Sequence, residues 1–171
     1  AGQKEFEDKC KSACQTTINK AVEYEMESLL TETSQKAKKA FPDDADIFIA
    51  KANMQYQKAF RNEDKYISAY KALAKKSNNN VDDLKHIVQE ISKTFKDNKK
   101  MISDGAEYAE IIYDNKKDVE SLNMFCSFLV KNNQVDKAIK VVNDAKAVAE
   151  KAGEDLSGYD GLLNYLQSKK T

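Results

Sequence analysis

Apolar side chains return every three or four residues along almost the whole of this 171-residue chain, and very little interrupts them. One proline, Pro42, and five glycines are the only strong punctuation. A chain this poor in turn residues does not build a turn-rich β-sandwich or a glycine-rich phosphate-binding α/β fold, so an all-α protein is expected. Lysine plus arginine and aspartate plus glutamate number 28 each. That balance makes no electrostatic case for nucleic acid or an anionic membrane as a partner. No run approaches the roughly 18 apolar residues that a transmembrane segment needs, which predicts a soluble chain without one. Residues 1–4 hold no apolar signal core, so an exported or periplasmic protein whose signal has been removed and a cytoplasmic protein both fit. Three cysteines, Cys10, Cys14 and Cys126, are too few for a disulfide framework, and the core must come from packing.

The stripes divide the chain. From Lys4 to about Leu30, Phe6, Cys10, Cys14, Ile18, Val22 and Met26 mark one face of a long helix, with a weak break expected at Thr31–Ser34 before the segment ends at Phe41. Pro42 biases Phe41 away from helix, and the acids after it favour a new N-terminus near Asp44. Three helical hairpins of about 33 to 37 residues follow over 44–152, with polar turns at Arg61–Asp64, Lys96–Lys100 and Lys131–Gln134. Gly153 ends the last long helix, and a short capping helix is expected over 158–169. One all-α domain over 1–171 is thus predicted, with a helical segment over 4–41 at its N-terminus.

The third hairpin reads Leu122-x2-Phe125-Cys126-x2-Leu129 and then Ala138-x3-Val142-x2-Ala145. Antiparallel helices approach closely only where a side offers a small residue, and Cys126 and Ala138 supply those positions. In order and spacing this resembles a tetratricopeptide repeat, most clearly over 119–152 and in degenerate form over 44–115. There, Val88, Ile91, Ser92 and Phe95, and Asp64-x-Tyr66-x2-Ala69-x3-Leu73, keep parts of the pattern. Leu122 and Leu129 stand where the family carries Trp and Tyr, and Glu150 lies near the place of its closing proline. The resemblance implies stacked antiparallel hairpins in a short right-handed α-solenoid, with a concave side lined by first helices.

Familiar catalytic equipment is missing from the sequence: no G-x-S-x-G elbow, H-E-x-x-H helix or phosphate-cradling glycine loop can be read. No enzyme activity, cofactor or metal is therefore expected. His86 with Asp82 could share a helix face, but the paired acids Asp43-Asp44 and Asp82-Asp83 precede helices and are better explained as dipole partners. Cys10 and Cys14 also face the same way and could hold a soft metal, although small apolar core residues look the same.

The resemblance implies a non-catalytic scaffold or adaptor that binds a protein or peptide. Its groove-facing residues would be Gln89, Lys93 and Lys96 on the second hairpin and Asn123, Ser127, Val130 and Lys131 on the third. Asn and Lys there could bond an extended peptide's backbone or carboxylate. Glu120 and Met124 occupy two places of the basic clamp by which some family members hold C-terminal carboxylates. The competing expectation is a structural domain, a part of a larger exported bacterial protein, that forms a homodimer through its long N-terminal helix. Phe6, Ile18 and Val22 would then form the seam.

Overall fold

The computed structural model describes residues 2–170, among which there are nine α-helices and no strand. They are α1 (Gly2–Glu23), α2 (Glu27–Ala40), α3 (Pro42–Ala59), α4 (Glu63–Lys76), α5 (Val81–Thr94), α6 (Lys99–Lys116), α7 (Val119–Lys131), α8 (Val135–Ala152) and α9 (Ser157–Gln167). The helices gather into two compact units, residues 1–80 and 81–171.

In the first unit the predicted long helix is a hairpin. The break falls at Tyr24–Met26 and not at Thr31–Ser34. Glu25 takes a left-handed φ of 58°, and the Met26 N–H donates to the Ala21 carbonyl at 2.8 Å, the closing bond of a Schellman turn. The hydroxyls of Thr31, Thr33 and Ser34 donate to the carbonyls of Glu27, Leu29 and Leu30 at 3.2, 2.6 and 2.8 Å, which satisfies them inside α2. α1 and α2 run antiparallel, because Leu30 packs with Ile18 and Ala21 while Ala37 and Phe41 pack with Cys14. Buried Phe41 alone joins α2 to α3, and Pro42 is the first residue of α3, where its missing N–H costs nothing.

The second hairpin of that unit repeats the first. α3 and α4 turn at Phe60–Asn62, where Arg61 is left-handed and the Asn62 side chain caps the Lys65 N–H. α3 lies parallel to α1: Lys11 pairs with Asp44, Ile18 packs on Ala52, and Gln15 and Asn19 meet Gln55. The bonded partners stand 33 to 40 residues apart in sequence, one hairpin further on.

The second unit is built the same way. α5 and α6 turn through buried Phe95, and Asn98 caps the Met101 N–H at 3.0 Å. α6 passes to α7 through Lys117, left-handed at φ 55°, and α7 to α8 through Asn133, left-handed at φ 58°. Across the α7–α8 pair the Cys126 thiol meets the Ala138 carbonyl at 3.9 Å, with both residues fully buried. α9 returns antiparallel along α8, tied by Lys146 to Asp160 and by Lys170 to Asp136. Gly153 closes α8 in the left-handed conformation at φ 72°.

Asp118 fixes the start of α7, accepting hydrogen bonds from the Ser121 N–H at 2.8 Å and the Ser121 hydroxyl at 2.7 Å. Those bonds hold its carboxyl below the ordinary carboxylate range. A carboxyl with a depressed folded value contributes stability in full above the unfolded value of about 4, and that contribution is lost as pH falls from there through the lower folded value. Asp118→Ala is therefore expected to cost about 1 kcal/mol at neutral pH and progressively less in acid, whereas Asp118→Asn keeps most of the cap. Urea unfolding at pH 7 and pH 3 reads the difference, and an equal loss at both would contradict the cap.

Candidate functional site

α5, α7 and α9 lie side by side and parallel. Lys85 near the start of α5 pairs with Glu120 at the start of α7 at 2.8 Å, and Lys131 at the end of α7 donates to the Ser92 hydroxyl near the end of α5 at 3.0 Å. The bonded partners are 35 and 39 residues apart, so the two first helices are in register one hairpin apart. On the other flank of α7, Gly158 in the first turn of α9 lies against Val119 in the first turn of α7. A Cβ on Gly158 would stand 3.0 Å from the nearest Val119 methyl, which is why a residue without a side chain sits there.

Between α7 and α9 runs a groove of about 400 Å³. Asn123 and Ser127 form its α7 side, and Leu162 and Tyr165 its α9 side. Gly161 faces open space and leaves the middle clear, while Tyr165, 46% exposed, stands at the rim. The Ser127 hydroxyl donates to the Asn123 carbonyl at 2.8 Å, which leaves its oxygen lone pairs and the exposed Asn123 amide turned to other partners. Such an arrangement can donate to and accept from an extended backbone beside an aromatic wall.

Of the residues that the sequence predicts here, Asn123 and Ser127 come together in the groove, and Gln89 and Lys93 are exposed on α5. Lys131 spans to α5, its ammonium 5.2 Å from the Phe128 ring centroid and bonded to Ser92, so it is already engaged within the chain. Val130 is half-buried. Lys96 lies in the turn beyond α5 and on no helix, because the helix ends at Thr94.

Two features escaped the sequence. α9, expected only as a cap, forms one wall of the groove, and its signal was Gly158 at the start of a helical pattern, where glycine needs a packing reason. In the first unit the parallel pair α1 and α3 carries an exposed amide cluster. Gln15 donates to Gln55 at 2.8 Å and to Asn19 at 3.1 Å, and Gln55 donates to Asn19 at 2.9 Å. The i,i+4 pair Gln15 and Asn19 on the polar face of α1 was legible in principle.

The titratable candidates are placed as follows. His86 is exposed on α5. All three cysteines are free thiols. Burial pushes the Cys126 thiol up to about 12, and burial also raises Cys14, with the Lys36 ammonium pulling the other way. Among the described residues no group of three His, Cys, Asp or Glu side chains is arranged to hold a metal ion. No helix among them is long and apolar enough to cross a membrane. No protein-family model matches the chain, and no curated protein or solved structure matches it either.

Proposed function

We propose that the chain is a non-catalytic protein- or peptide-binding module of the tetratricopeptide-like kind, a scaffold or adaptor whose binding surface is the row of first helices α5, α7 and α9. The observation that carries this is the groove between α7 and α9, where the exposed Asn123 amide and the Ser127 oxygen stand open beside Tyr165. Extended peptides satisfy their backbone groups against such side chains, while an aromatic rim residue contributes area at low entropic cost. The 33- to 40-residue spacing between bonded partners on the parallel helices of each unit supports a repeat architecture. The competing seam along α1 is largely spent within the chain: Ile18 and Ala21 are buried against α2 and α3. Phe6, 62% exposed, is what remains of it.

The reading is tested by selecting peptides from a displayed random library on the wild-type chain. Their affinities are then compared by fluorescence anisotropy for wild type and for an Asn123→Ala/Ser127→Ala variant of unchanged helicity. Binding weakened by about tenfold or more, equivalent to about 1.4 kcal/mol, supports the groove. Equal affinity for both, or no selected binder, overturns it.

A further inference from the structure

Cys10 and Cys14 have no part in the groove. They lie four residues apart on α1, which sets their Cβ atoms about 5–6 Å apart on one face. That face packs on α2 and α3, where Cys14 is buried with Ala37, Phe41 and Ala45, and half-buried Cys10 lies against the same cluster. A disulfide needs Cβ atoms about 3.5–4.5 Å apart, so the helix would have to distort to form one. A bridging soft ion makes a different demand. Two metal–thiolate bonds of about 2.3 Å, the length of a zinc–thiolate bond, separate the sulfurs by up to about 4.6 Å, which side-chain rotation supplies from helical spacing. The same spacing therefore disfavours sulfur–sulfur bonding and accommodates sulfur–metal–sulfur.

The number of ligands narrows the ion. No third His, Cys, Asp or Glu completes a group with the pair among the described residues, whereas structural zinc takes four ligands. Soft thiolates take copper(I), zinc and iron–sulfur clusters, and of these copper(I) is the one that two thiolates can satisfy in a linear arrangement. Two thiolates on a monovalent ion leave the site with one negative charge. The apolar side chains of Ala37, Phe41 and Ala45 cover the buried sulfur, and the partial exposure of Cys10 gives the ion its way in.

We infer that Cys10 and Cys14 form a two-coordinate site for copper(I), bridging one turn of α1. Binding forms two copper–sulfur bonds and releases both thiol protons to solvent, with no change of oxidation state. The test titrates the reduced full chain, with oxygen excluded, with copper(I) in competition with a chromophoric copper(I) chelator. Wild type and Cys126→Ala are expected to retain a single equivalent, and Cys10→Ser and Cys14→Ala none. Cys10 is half-buried, so Cys10→Ser keeps the fold, and circular dichroism on each variant separates ligand loss from unfolding. Copper retained by folded Cys10→Ser as by wild type, copper lost only with Cys126, or no copper held by wild type overturns the site.

Discussion

Ile18→Asp is expected to unfold residues 1–80. Ile18 is fully buried among Ala21, Leu30, Ala52 and Tyr56, at the point where α1, α2 and α3 meet. Removing its side chain alone costs about 2–5 kcal/mol. A carboxylate in its place is desolvated without a partner, which adds several kcal/mol more. The total rivals the 5–15 kcal/mol that holds a typical domain together. Circular dichroism and denaturant unfolding read the loss, and Ile18→Val, at about 0.5–1.5 kcal/mol, is the mild control. The substitution separates two architectures. In a single long N-terminal helix the stripe of Ile18 and Val22 waits for a second copy, and a charge there leaves a folded monomer. In the hairpin it destroys the core. A folded, monomeric Ile18→Asp chain would contradict the α1–α2 hairpin. For self-association the informative substitution is Phe6→Asp, on the exposed part of α1.

Gly105→Ala carries the second large effect, and its sign is the opposite of the usual one. In an ordinary exposed helix this change stabilises by about 1 kcal/mol. Here a Cβ on Gly105 would stand 2.3 Å from the Phe128 ring, against the 3.5–4.0 Å at which carbon atoms pack. Phe128 is itself buried, with Lys131 over its ring, so it has little room to retreat. Overpacking of this kind costs about 1–3 kcal/mol and exceeds the gain in helix propensity. Gly105→Ala is expected to lower stability in urea unfolding, with larger side chains lowering it further. Combining it with Phe128→Leu should recover part of the loss, as a coupled pair does. A Gly105→Ala chain more stable than wild type would show that α6 and α7 do not approach this closely. The contact matters for function because it sets how α7, the helix that carries Asn123 and Ser127, sits on α6.

The helices from α3 onward were legible because their apolar stripes end at polar runs. Arg61–Asp64, Ser77–Asn80 and Lys131–Gln134 each hold residues suited to turns, and in each a non-glycine residue takes the left-handed place: Arg61, Asn78 and Asn79, and Asn133. The α1–α2 turn uses the same geometry at Glu25, but Tyr24-Glu25-Met26 contains no turn residue, so nothing in the sequence marks it. The Thr31–Ser34 run draws the break toward itself instead. Its hydroxyls bond back within α2, a choice that composition does not reveal. The small contact of α6 is Gly105, against which Phe128 packs, and no apolar stripe marks a glycine as a packing position. Part of the candidate surface was legible for a simpler reason. Asn123 and Ser127 fall on the polar face of α7, opposite a stripe that had to be core. The wall that α9 provides depends on a contact between residues about forty positions apart, which one sequence does not encode locally.

The most direct measurement of the central claim is a map of backbone amide shifts in the full chain as a selected peptide is added. Perturbations are predicted at Gln89 and Lys93 on α5, Asn123 and Ser127 on α7, and Tyr165 on α9. Perturbations confined to α6 and α8, or to residues 1–80, would contradict the assignment of the first helices of the second unit as the binding face.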